Sequence, residues 1–89
     1  MTADLIQARQ QTHGDFAKNA EISQEIKYLF MCRLNNCASL KPAHNEALDM
    51  IALKLARILS GKADFKDHWL DIAGYAQLAA DACDVEAVG

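Results

Sequence analysis

Between Pro42 and Gly61 the chain reads PAHNEALDMIALKLARILSG, in which Leu48, Ile51, Ala52, Leu55 and Leu59 recur at the three- and four-residue intervals of one helix face. Proline suits the first turn, where its missing N–H is not needed, and glycine suits the stop just past the last turn. A pattern of this length and period excludes a strand and commits the chain to helix-on-helix packing. The other faces are not simply polar. Met50, Leu53 and Ala56 are interleaved with Glu46, Asp49, Lys54 and Arg57, which predicts contact on more than one side.

The same reading extends along the chain. A first helix is expected over residues 3 to 12, with Thr2 as N-cap, ending at T-H-G-D-F, where Gly14 supplies the stop and Asp15 the next N-cap. A second runs over about 16 to 36, with Ile22, Ile26, Leu29 and Phe30 on one side and Asn35 and Asn36 at its end. A fourth covers about 65 to 83, with Trp69, Ile72, Ala73, Ala76 and Ala80 facing inward and a frayed tail from 84 to 89. The expected fold is all-α, an antiparallel bundle of about four helices in one domain spanning residues 1 to 89. With 52% hydrophobic and 24% charged residues in so short a chain, part of the apolar surface is expected to meet other copies of the protein.

Net charge is −3, and the nine Lys and Arg are dispersed, so a nucleic-acid footprint is excluded. Asp4 and Arg9 interrupt the apolar run a signal peptide requires, and no segment approaches the ~20 apolar residues of a membrane span. A cytoplasmic protein without a membrane partner is expected. Cys32, Cys37 and Cys83 fit neither a disulfide framework nor a paired zinc motif, and His13, His44 and His68 are singletons. Structural or surface roles are expected for all six.

Three helices each carry an acidic pair at same-face spacing: Glu21 and Glu25, Glu46 and Asp49, Asp67 and Asp71. Such pairs arise often by chance as solvated faces, but carboxylates projecting from facing helices also build divalent-cation sites, and Mg²⁺ bound there accepts phosphate oxygens. On a helical wheel Asp67 and Asp71 share their stripe with Gly74 and Leu78, opposite the Trp69 stripe. Lys54 and Arg57, further along the third helix, suit the non-bridging oxygens of a di- or triphosphate.

The segments EALDMIALKLARILSG and DHWLDIAGYA, with THGDF upstream, resemble a group of small phage-encoded proteins over roughly residues 9 to 80. That group is itself remotely similar to the MazG-like all-α nucleoside triphosphate pyrophosphohydrolases. The resemblance implies Mg²⁺ held by Glu46, Asp49, Asp67 and Asp71, with Glu21 or Glu25 orienting the attacking water. It implies a nucleotide clamped by Lys54 and Arg57, with Tyr75, Trp69 or Phe16 against the base, and an assembly that is a dimer or tetramer. The family's E-x-x-E and E-x-x-D pair is not fully reproduced. Glu21 and Glu25 are spaced E-x-x-x-E, and the residue three before Asp71 is His68.

Two functions follow from this reading. One is a Mg²⁺-dependent (deoxy)nucleotide pyrophosphohydrolase in the host cytoplasm of a phage-encoded protein. The other is a non-catalytic helical protein that binds a host protein or sequesters a nucleotide.

Overall fold

The computed structural model describes residues 3–33 and 40–84, and among them it is all-helical: α1 Ala3–His13, α2 Phe16–Arg33, α3 Pro42–Ser60 and α4 Lys66–Asp81. The boundaries follow local chemistry. Gly14 takes the left-handed conformation (φ 80°) that only glycine adopts freely, and its N–H donates to Gln10 O at 2.9 Å, closing α1. Asp15 caps α2 by accepting from the Lys18 N–H at 3.2 Å. Pro42 opens α3, where the Lys41 N–H donates to His44 Nδ1 at 3.0 Å, and the Gly61 N–H closes it on Arg57 O at 2.8 Å. The expected N-cap Thr2, the expected end of the second helix at Asn35 and Asn36, Cys37, and the tail beyond Asp84 lie outside the described residues.

The helices form an open layer. α3 is central, antiparallel to α2 on one side and α4 on the other, and α1 lies across α2 and α3. α4 packs on α3 alone, apart from side-chain contacts where its first turn meets the end of α1. The molecule is accordingly elongated, 47 × 27 × 22 Å. Its buried apolar side chains among the described residues are Ala47, Ala52, Ala56 and Ile58, all on α3. Three alanines let neighbouring helices approach closely but remove little apolar area from water, so this core contributes modestly.

Two inward assignments are corrected. Trp69, Ala73, Ala76 and Ala80 face outward, Trp69 being 52% exposed, and the buried side of α4 is carried by His68, with Ile72, Tyr75 and Ala79 half-buried beside or near it. The helix has an apolar stripe on either side of His68, and periodicity alone cannot rank them. Hydrogen bonding decides: His68 reaches a carbonyl inside the layer, while the Trp69 indole N–H donates to Ala63 O at 2.8 Å from outside. Leu59 is likewise exposed, and Ile58 is buried in its place. The histidines have the structural places expected of them, since His44 and His68 are buried and His13 half-buried, and Cys32 and Cys83 are exposed thiols. No helix among the described residues is long and apolar enough to cross a membrane.

Candidate functional site

Where α1 turns into α2, the chain is locked against the turn between α3 and α4. His68, 1% exposed, donates from Nε2 to Thr12 O at 2.8 Å, and the Lys62 N–H donates to the same carbonyl at 3.2 Å. The buried Asn19 donates from Nδ2 to His13 O at 2.6 Å, and its Oδ1 is hydrogen-bonded to Ser60 Oγ. His13, Phe65 and His68 pack ring against ring, His13 meeting His68 edge-on at 4.9 Å between centroids. Gly14 and Gly61 make this approach possible. A Cβ on Gly61 would lie 2.5 Å from Thr12 O and 2.7 Å from Gly14 N, and one on Gly14 would meet the Ser60 backbone at 2.7 Å. No buried side-chain polar atom lacks a hydrogen-bond partner among the described residues.

Beside this knot, α1, α2 and α3 enclose a groove of about 750 Å³. Arg9, Lys27 and Arg57 line it, with Gln10, Asn19 and Gln24 as amide groups and Ile6, Phe16 and Leu53 as apolar wall. Among the described residues the ion pairs are Lys41–Asp84 and Lys54–Asp71, so none of the three groove bases has a carboxylate within 4 Å. Burial, and then the charge of Arg9, push the Arg57 guanidinium below its ordinary value, while Asp71 and Tyr75 act in the opposite direction. His13, next to this cluster, is pushed below 6.5 by burial first and then by Arg57, His68, Arg9 and Lys54. In a chain of net charge −3, this is a local concentration of positive potential.

The residues singled out from sequence divide into two groups. Asp71 and Lys54 pair at 2.9 Å; Asp71 and the half-buried Tyr75 act electrostatically on Arg57, and Lys54 acts on His13. The Lys54 ammonium, through its hydrogen bond above all, holds the Asp71 carboxyl below its ordinary value. Asp67 is exposed in the first turn of α4, and Glu46 is exposed on α3. Asp49 lies half-buried in a second groove, between α2 and α3, with Lys27, Phe30 and Leu48. Glu21 and Glu25 flank a shallow apolar surface of α2 with Tyr28 and Leu29. Among the described residues no three His, Cys, Asp or Glu side chains come together as a metal-ligand group. One chain therefore does not assemble Glu46, Asp49, Asp67 and Asp71 into a multi-carboxylate Mg²⁺ site.

Arg9 and Lys27 escaped the sequence reading. They stand 48 and 30 residues before Arg57 in the chain, and no local spacing links them. Asn19, Ser60 and His68 had a weak signal, as polar residues beside apolar stripes.

Fold and groove together define a small all-α domain with a basic, amide-rich cleft. The chain belongs to a domain family of unknown function, DUF6378, whose family model matches residues 2–83. No curated protein and no solved structure matches it.

Proposed function

We propose that the groove between α1, α2 and α3 binds a small phosphorylated molecule of nucleotide type. The observation that carries this reading is the convergence of Arg9, Lys27 and Arg57, none of them with a carboxylate within 4 Å among the described residues, on one cleft of about 750 Å³. That volume is within the range of roughly 300–1,000 Å³ typical of small-molecule sites. Guanidinium groups bind phosphate oxygens as planar forks, and the added anion relieves the mutual repulsion of Arg9 and Arg57. Phe16, at the rim and 82% exposed, offers a ring face for a base, and the amides of Gln10 and Gln24 offer hydrogen bonds to its edge. On this reading the protein sequesters a nucleotide.

Isothermal titration calorimetry with a panel of nucleoside mono- and triphosphates tests it. Saturable binding is expected, weakened by about 10- to 100-fold in Arg57→Ala and Arg9→Ala, as for loss of a charge-assisted hydrogen bond. Binding that is absent, or that survives both substitutions, overturns the reading.

A hydrolytic reading has one structural support beyond the resemblance to MazG-like pyrophosphohydrolases. Lys27 and Gln24 line both the basic groove and the groove holding Asp49, so a carboxylate stands near one of the cleft's bases. Since no three carboxylates come together within one chain among the described residues, a metal site there would need carboxylates from another copy of the chain. Pyrophosphate release from nucleoside triphosphates in Mg²⁺ or Mn²⁺, lost in Asp71→Asn and Glu46→Gln, separates hydrolysis from binding alone.

A further inference from the structure

We infer that α4 is the interface of a two-fold symmetric homodimer, in which it packs antiparallel on α4 of a second copy. This rests on the outer side of α4 and is independent of the ligand groove. The chain exposes 6652 Å² of surface, whereas a compact protein of its 9.8 kDa exposes about 5,200 Å² by size scaling. Its radius of gyration is 15.1 Å, against about 12 Å for a compact domain of this length. The surplus of about 1,500 Å² exceeds the ~800 Å² that each partner of a standard interface covers.

α4 is where this surplus has a self-complementary form. The side opposite the buried His68 carries Leu70, Ala73 and Gln77 along its centre, with Trp69 and Leu78 on its flanks. Trp69, Leu70 and Leu78 are 52%, 55% and 63% exposed. Lys66 and Asp81 bound this side at its two ends, while Asp67 stands at its margin. Both end charges oppose the helix dipole, a base at the positive N-terminus, where Asp67 in the same turn offsets it, and an acid at the negative C-terminus, which is unfavourable for an isolated helix. An antiparallel second copy reverses the sign at each end. With the axis between Ala73 and Gly74, Lys66 of each copy stands opposite Asp81 of the other, and Trp69 packs over the facing Ala76 and Ala80. A Cβ on Gly74 would meet nothing within 4 Å, so there is open space at the crossing for a neighbouring helix. A two-fold contact of this kind closes on itself and leaves no further face to propagate.

Sedimentation velocity on the full chain over a micromolar concentration series tests the inference. The expected species has about twice the 9.8 kDa chain mass. Ala73→Arg should raise the dissociation constant by at least about 100-fold through an unpaired buried charge. Lys66→Asp should weaken the dimer, and Lys66→Asp combined with Asp81→Lys should restore it. If Ala73→Arg does not fold, cross-linking decides: with Cys32, Cys37 and Cys83 replaced by serine, Ala73→Cys should oxidise to a covalent dimer and Gln7→Cys on α1 should not. A monomer at every concentration, a dimer indifferent to Ala73→Arg, or no Ala73→Cys cross-link overturns the assignment.

Discussion

Two polar regions lie side by side in this layer, and they are built on opposite terms. In the knot, Thr12, Asn19, Ser60 and His68 exchange hydrogen bonds, and two glycines allow the backbone segments to touch. In the groove, Arg9, Lys27 and Arg57 face one cleft with no carboxylate within 4 Å of them among the described residues. A satisfied buried network specifies structure, since leaving any member unpaired carries a desolvation penalty. A cluster of like charges costs stability, and on the proposed reading a bound anion offsets that cost. The knot should therefore govern folding and the groove should govern binding.

The largest expected departure is Gly61→Ala. Its methyl would sit 2.5–2.7 Å from backbone atoms of Thr12, His13 and Gly14, which cannot swing aside. A loss of about 3 kcal/mol is expected in urea denaturation, enough to unfold a marginal domain. A variant within about 0.5 kcal/mol of the parent would mean that the two turns do not touch.

Next is His68→Leu, which removes one of the two donors to Thr12 O and leaves Lys62 as the other. About 2 kcal/mol of destabilisation is expected, with nucleotide affinity unchanged in the fraction that folds. Arg57→Ala should do the reverse, keeping stability within about 1 kcal/mol of the parent while binding is lost. Loss of binding in His68→Leu, or unfolding of Arg57→Ala, would erase the division between the two regions.

The smallest effect concerns His13, which packs in the knot and feels the charge of two groove arginines. Its folded value lies below 6.5, so the unfolded chain takes up its proton first as pH falls. The stability contributed by the neutral ring is present above 6.5 and is lost as pH drops below that value and through the lowered folded one. Melting temperature should decline over this window in the parent and be flatter in His13→Gln. An anion in the groove offsets Arg57 and Arg9, two of the causes of the shift, so saturating ligand should raise the lower edge of this window toward 6.5 and shrink the decline. An unmoved window with ligand bound would separate His13 from the groove.

Helical class, the four helices and the ends marked by Gly14, Asp15, Pro42 and Gly61 were legible in the sequence because they are set locally. A three- to four-residue apolar period, Gly14 and Gly61 as stops, Asp15 as a cap and Pro42 at a first turn act within a few residues of themselves. The acidic pairs were equally legible as local spacing, and so were Lys54 and Arg57 as bases near them.

Tertiary packing decided the rest. Which stripe of α4 turns inward depended on His68 finding Thr12 O, 56 residues away in the chain, a partner that no wheel contains. Asp71 shares a helix stripe with Asp67, yet it meets Lys54 because α3 and α4 run antiparallel at that register. The basic groove joins Arg9, Lys27 and Arg57 from three helices, and their meeting follows from how α1 crosses the layer. Local periodicity records which faces a helix has, whereas the choice among them belongs to the contacts that only the assembled layer supplies.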